Sequence, residues 1–105
     1  HLTHITSFRF LVEPDIALRV RFSRDRGQVI AFVVQLECYI IDSWYPVIRY
    51  DTAHGYAHCD ILRPDGSQEK RELSIDSFNE ALTYAQQDLR ENHQYYCERF
   101  REQLL

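Results

Sequence analysis

The fold is decided by residues 17–39, which read ALRVRFSRDRGQVIAFVVQLECY. Apolar residues alternate with polar ones in the order L-R-V-R-F-S over residues 18–23, a period of two that is typical of a strand with one buried face. A polar turn ending in Gly27 follows, and a second strand is predicted from about Gln28 to Tyr39. The predicted inward residues of that strand are Ile30, Phe32, Val34, Leu36 and Cys38. The stretch therefore predicts an antiparallel hairpin.

The same alternation continues on both sides of this hairpin in short segments bounded by turn residues. Further strands are predicted at residues 44–51, 56–63 and 68–73, with turns between them at residues 42–43, 52–55 and 64–67. We expect an antiparallel β-meander over residues 17–73 of a single domain spanning residues 1–105. Residues 1–14 are expected to form an N-terminal arm or one more strand, covering residues 5–12.

The last third of the chain changes its apolar period to three and four residues, which is typical of one helix face. The stripe consists of Phe78, Leu82, Ala85, Leu89, His93, Tyr96, Phe100 and Leu104. Ser77 and Glu80 have the spacing of a capping box, so we predict a helix over residues 76–103. The expected fold class is α+β, an antiparallel meander of four to six strands packed on one long C-terminal helix. Such a helix is roughly 40 Å long, so its last apolar turns should extend beyond the sheet. We expect these apolar residues to contact a second copy of the chain in a homodimer.

Length and charge limit the classes of function. The chain has 105 residues, a size for one domain, and a formal net charge of -4, which gives no whole-domain signature of nucleic-acid binding. Eleven of its twelve cationic side chains are arginine, the residue best suited to bidentate contacts with phosphate or carboxylate. No apolar run approaches the ~20 residues of a membrane-spanning helix, so no membrane association is predicted.

The cysteines bear on redox chemistry and location. Cys38, Cys59 and Cys97 are odd in number and far apart, a spacing that favours neither a disulfide framework nor a structural zinc site. We therefore expect three reduced, buried thiols in a cytoplasmic protein. The sequence contains no glycine-rich phosphate loop and no nucleophile elbow, and we predict no cofactor.

Polar residues that can carry chemistry gather around the turn at residues 52–55. A four-residue turn would pair Asp51 with Tyr56 and Arg49 with His58, and would put one polar set on a single face. The face predicted to point away from the helix carries Arg19, Arg21, Gln35, Glu37, Arg49, Asp51, His58 and Asp60. Cross-strand neighbours lie ~5 Å apart, close enough for these groups to act together.

The string RYDTAHGYAHCDILRPDG at residues 49–66, followed by FNEALTYA at residues 78–85, resembles a family of small uncharacterised prokaryotic proteins. The likeness extends over roughly residues 25–101 and implies no established activity. A fainter similarity, in R-Y-D followed by histidines in a sheet hairpin, is to the TumE-type toxins of toxin–antitoxin pairs. That similarity implies a toxin–antitoxin component that acts on RNA.

One reading of these residues is a metal-independent, ribonuclease-like enzyme. Histidine would act as acid or base, arginine would hold the phosphate, and aspartate would orient an imidazole. The candidate catalytic residues are Arg49, Asp51, His54, His58 and Asp60. The candidate substrate-binding residues are Arg19, Arg21, Glu37, Tyr50 and Tyr56, with the tyrosines available to stack on a base.

The alternative reading is a non-catalytic, dimeric module that binds a cognate protein, as an antitoxin or a regulatory subunit does. The hairpin would then be structural, with Asp51 and Thr52 bonded to the turn backbone and Arg49 paired with a carboxylate. A metal site is a third and less favoured reading, because the two histidines straddle a glycine turn rather than one helix face. Its ligands would be Asp51, His54, His58 and Asp60. We predict no bound metal.

Overall fold

The computed structural model describes residues 3–105, which form a six-stranded sheet covered on one face by a C-terminal helix. The elements are β1 (Thr3–Glu13), β2 (Ile16–Asp25), β3 (Gln28–Ile40), β4 (Ser43–Asp51), β5 (His58–Leu62), β6 (Gln68–Glu72) and α1 (Phe78–Leu104). Strands lie in chain order and neighbours run antiparallel, so the sheet is a meander. The predicted α+β fold is confirmed, and the segment proposed as an arm or strand is β1.

Two-residue turns set the register of the long hairpins. Arg26 and Gly27 connect β2 to β3, with Asp25 paired to Gln28. Both turn residues have positive φ, 53° and 78°, the combination whose backbone twist matches that of the strands it joins. The turn between β3 and β4 holds Ile41 at a φ of 62°, a conformation that is strained for a β-branched residue.

The core lies between α1 and one face of the sheet. The fully buried sheet residues on this face include Leu18, Val20, Val34, Leu36 and Ile48. They pack against the buried helix residues Ala81, Leu82, Ala85, Leu89 and Phe100. The helix begins after Ser77, whose side-chain oxygen accepts a hydrogen bond from the Glu80 amide at 3.3 Å, as expected of a capping residue.

Two expectations about packing are wrong. Ile30 is 47% exposed and Val29 is buried instead, because a bulge opposite Ser23 and Arg24 inserts an extra residue and shifts the parity of β3. The end of α1 does not overhang: Phe100 is 3% exposed and its ring lies 5.5 Å from that of Tyr45. The sheet is long enough because β3 has 13 residues and spans roughly 43 Å.

The prediction of three reduced thiols is also wrong. Cys38, on the helix-facing side of β3, forms a disulfide with Cys97 of α1, and their Cα atoms lie 6.0 Å apart. The bond ties the C-terminal half of the helix to the middle of the sheet. Cys59 is free and buried, and burial raises the pKa of its thiol to about 11.

Candidate functional site

The face of the sheet that points away from α1 carries a continuous row of polar residues. Register places one residue from each strand in this row: Arg9, Arg19, Gln35, Arg49, Asp60 and Lys70. Arg9 and Lys70 were missed by the sequence analysis. Extending the same alternation into β1 and β6 would have found both, since Arg9 pairs with Arg19 and Lys70 pairs with Asp60.

Glu37 organises the basic half of the row. One carboxylate oxygen accepts a hydrogen bond from Arg9 Nε at 2.9 Å, and the other accepts bonds from Arg19 Nε at 2.8 Å and Gln35 Nε2 at 2.7 Å. The amide oxygen of Gln35 in turn accepts a bond from Arg49 Nε at 2.8 Å. Burial opposes ionisation of Glu37, but the bonds from Arg19, Arg9 and Gln35 outweigh it and hold its pKa below the ordinary value. Glu37 therefore positions the arginines and is itself buried.

We call Arg9, Arg19 and Arg49 the arginine row. Each donates to this network through Nε, so their outer Nη nitrogens have no hydrogen-bond acceptor among the described residues. The side chain of Arg19 is 54% exposed and that of Arg9 is 32% exposed. Arg21, also predicted for this face, lies there and is exposed. The guanidinium ends thus meet solvent in fixed orientations, which is the arrangement that binds phosphate or carboxylate.

The other half of the face holds a histidine cluster, which we define as Asp51, His58, Asp60 and Lys70. His58 Nε2 lies 2.7 Å from Asp51 Oδ1 and 3.7 Å from Asp60 Oδ2. The ammonium of Lys70 lies 3.4 Å from the same ring nitrogen and 3.8 Å from Asp60 Oδ1. The predicted meeting of two carboxylates and a histidine therefore occurs, with a lysine beside them.

Two members of the cluster, His58 and Asp60, are buried, whereas Lys70 is partly exposed. His58 is 1% exposed and Asp60 is 4% exposed. The rings of Tyr56 and His54 lie beside that of His58, with centroids 5.4 and 6.3 Å away. His58 Nδ1 is 3.4 Å from the carbonyl oxygen of Tyr56, so both ring nitrogens are engaged within the protein. In this arrangement the His58 ring has almost no contact with solvent.

The loop before β5 differs from the predicted four-residue turn. It spans residues 52–57, and Asp51 pairs with His58 while Arg49 pairs with Asp60. The longer loop contains a 3-10 turn at Ala53–Gly55, where His54 adopts a φ of 73°. Since the pairing moved by two residues, every side chain kept its face. The predicted polar set therefore survives an error in register.

Tyr50 does not belong with this set, which corrects its assignment as a substrate-binding residue. It lies on the helix-facing side, 4% exposed, and its hydroxyl donates to Asp88 Oδ2 at 2.6 Å. Tyr96 donates to the same carboxylate at 2.8 Å. Burial and the bond to Asp88 raise the pKa of Tyr50. Tyr56, by contrast, is exposed beside the histidine cluster, where a base could stack on it.

Comparisons with known proteins agree with the expectation of an uncharacterised family. No curated protein matches the chain, and no solved structure does. Within residues 3–105, α1 is not apolar enough to cross a membrane. A model described as a domain of unknown function, DUF7718, matches residues 3–104. The chain belongs to the DUF7718 family.

Proposed function

We propose that this chain binds RNA through the arginine row on the open face of its sheet. The observation that carries the proposal is the set of guanidinium groups held by Glu37 and Gln35 with their outer nitrogens free. Arginine forks of this kind bind phosphate oxygens bidentately. Strands lie ~4.8 Å apart, so Arg19 and Arg49, two strands apart, would contact separate phosphates along a nucleotide chain.

Aromatic side chains flank the arginine row. Trp44 is 39% exposed, and the guanidinium of Arg9 lies 4.6 Å from its ring centroid. Tyr56 is 37% exposed at the other end of the face. A sheet face that combines cations with exposed aromatics suits single-stranded RNA, since unpaired bases stack on aromatic rings while the backbone follows the charges.

The predicted ribonuclease is not part of the proposal. Cleavage requires an acid and a base within hydrogen-bond reach of the substrate, and the buried position of His58 stands against that role. The faint toxin likeness favours a toxin–antitoxin component, and the arginine row favours one that binds RNA without cutting it. RNA would then be held by Arg9, Arg19, Arg21 and Arg49, with Tyr56 stacking on a base.

Fluorescence anisotropy with a labelled single-stranded RNA of twelve nucleotides, titrated at several salt concentrations, tests this function. The Arg19→Ala, Arg49→Ala double variant should bind at least ten-fold more weakly. The slope of log K against log salt should become shallower by about 0.7 for each phosphate that an arginine no longer neutralises. Arg71→Ala is the matched control, because Arg71 is exposed on β6 next to Cys59 on the other face.

The proposal fails if the wild-type chain shows no salt-dependent binding, or if Arg71→Ala weakens it as much as the double variant. The same RNA, incubated with wild type and with His58→Ala and then run on a denaturing gel, should stay intact in both cases. Fragments that appear with wild type and not with His58→Ala would restore the ribonuclease reading.

The second candidate function is the dimeric protein-binding module, which the edge of the sheet favours. Strand β1 has 11 residues and lies at the edge with Ile5 57%, Phe8 41% and Leu11 55% exposed. A long apolar edge strand can pair with a strand of another chain. Sedimentation equilibrium between 5 and 500 µM distinguishes a monomer from a dimer. Leu11→Lys should abolish a dimer formed at this edge. A monomer throughout that range would exclude the homodimer.

A further inference from the structure

Asp60 is a buried acid without a hydrogen bond on one of its oxygens. The residue is 4% exposed, and no donor among residues 3–105 lies within hydrogen-bond distance of Oδ1. Its nearest basic neighbours are Lys70 Nζ, 3.8 Å from Oδ1, and His58 Nε2, 3.7 Å from Oδ2. Buried carboxylates are ordinarily hydrogen-bonded, closely paired or bound to a metal. The Lys70 ammonium is too far from Oδ1 to donate a hydrogen bond, so this oxygen is free to take a closer partner.

The atoms around Asp60 converge as metal ligands do. One ligand atom each from Asp51, His58 and Asp60 lies within 4.8 Å of the others. His58 Nε2 is 2.7 Å from Asp51 Oδ1 and 3.7 Å from Asp60 Oδ2. Tetrahedral ligands at 2.0–2.1 Å from zinc are separated from one another by roughly 3.4 Å. Shifts of about one ångström would therefore bring the three groups around one ion.

We propose that Asp51, His58 and Asp60 bind a divalent transition-metal ion, with zinc as the first choice. One imidazole nitrogen and two carboxylate oxygens form a mixed donor set that suits zinc better than an all-oxygen set would. Three protein ligands leave a fourth position for water. This ligand set omits His54, which the metal site considered from the sequence included. The proposed metal site does not depend on RNA binding.

The surroundings of His58 support metal binding through Nε2. Its other ring nitrogen, Nδ1, lies 3.4 Å from the backbone carbonyl of Tyr56. At 2.7 Å from Asp51 Oδ1, Nε2 donates a hydrogen bond to that carboxylate in the metal-free chain. An entering ion would displace this proton, and a proton on Nδ1 donated to the Tyr56 carbonyl would then fix the tautomer that metal-binding histidines use. The cross-strand pairing of Asp51 with His58 fixes two of the three ligands on adjacent, rigid strands.

Lys70 is the cation that competes with the metal. Its ammonium lies 3.4 Å from His58 Nε2 and 3.8 Å from Asp60 Oδ1, and its side chain is 38% exposed. The flexible side chain can leave toward solvent when an ion enters. Replacing this lysine with a neutral residue should therefore strengthen metal binding, a result that a purely structural ion pair would not give.

Isothermal titration calorimetry of the full chain with Zn²⁺, after EDTA treatment and buffer exchange, tests the site. We expect one ion per chain. Asp60→Asn should weaken binding at least ten-fold, and Lys70→Gln should strengthen it about ten-fold. His93→Gln is the matched control, because His93 and Glu13, 3.8 Å apart, form a second histidine–carboxylate pair outside the cluster.

Cobalt provides an independent readout. Co²⁺ titrated into the wild type should give the visible absorption of a four-coordinate ion, and Lys70→Gln should reach it at lower cobalt concentration. Lys70 is partly exposed, so this variant keeps the test valid if Asp60→Asn fails to fold. The proposal is overturned if no saturable binding occurs below 1 mM, if Lys70→Gln leaves affinity unchanged or lowers it, or if His93→Gln loses as much affinity as Asp60→Asn.

Discussion

Reducing the Cys38–Cys97 disulfide should lower the free energy of unfolding by about 2–4 kcal/mol. The bond joins residues 59 positions apart in sequence. For a loop of that size, the loss of chain entropy in the unfolded state sets a value of roughly 4 kcal/mol at 25 °C. Measured effects fall below this figure when the unfolded chain keeps some structure, which gives the lower end of the range. For a domain of this length the midpoint of thermal unfolding should fall by at least about 8 °C.

The loss should be concentrated in the second half of α1. Ala81, Leu82, Ala85 and Leu89 bury the first half against the sheet, whereas Phe100 is the buried residue of the second half. Without the covalent tie, this half depends on Phe100 and on the hydrogen bond from Tyr96 to Asp88. Backbone amides after Leu89 should therefore exchange with solvent faster than those before it.

The assay is guanidinium unfolding with and without a phosphine reductant, with mass spectrometry to establish the redox state. The Cys38→Ala, Cys97→Ala double variant should match the reduced wild type and should not respond to reductant. Cys59→Ala is the control and should still respond, because Cys59 is not part of the bond. An unchanged unfolding midpoint in a sample shown to be fully reduced would refute this reasoning.

Three further predictions concern single side chains. Glu37→Gln should lower the free energy of unfolding by about 1–3 kcal/mol at neutral pH, because it leaves the arginines without a charged partner. Because the folded-state pKa of Glu37 is lowered, the stability from its ionised form is present above the unfolded pKa of ~4.3 and is lost as pH falls through the folded pKa. The difference between wild type and Glu37→Gln in urea unfolding should shrink below about pH 4, and a difference that stays constant from pH 7 to pH 3 would contradict the assignment. Cys59, with a pKa of about 11, should react with iodoacetamide at pH 8 about a hundred-fold more slowly than a thiol of pKa 9, and rapid labelling of the native protein would show that it is not buried. Gly55→Ala should lower the free energy of unfolding by about 1–2 kcal/mol, because Gly55 has a φ of 87° that alanine rarely adopts. An added Cβ would meet no atom within 4 Å, so backbone conformation is the source of the expected loss. Unchanged stability in urea unfolding would contradict this reasoning.

Side-chain alternation made the sheet and its polar face predictable. In a strand, an error of two residues in pairing returns each side chain to the same side, so Arg49, Asp51 and Asp60 were placed together although the loop length was wrong. The bulge that exposes Ile30 was not predictable, because an inserted residue leaves no mark in an apolar run. The turn signal that ends at Gly27 agrees with the start of β3 at Gln28, although β2 continues to Asp25, and the turn signal at residues 64–67 lies between β5 and β6.

The disulfide and the burial of His58 depend on which distant elements meet. Cysteine spacing does not show that the C-terminal end of β3 faces the last third of α1, so the disulfide between Cys38 and Cys97 was not predictable. His58 was expected to be reachable, but its exposure depends on the rings of Tyr56 and His54 and on Lys70 from the next strand. The local sequence identified which residues belong to the site, but it did not show which of them solvent can reach.

The covalent bond between Cys38 and Cys97 closes residues 38–97 into a ring. The ring contains β4, β5, β6 and most of α1, and all four residues of the histidine cluster belong to it. A protease that cuts the exposed turn at residues 65–67 would open the backbone without releasing either piece. The two halves of the cleaved chain would stay joined until a reductant separated them.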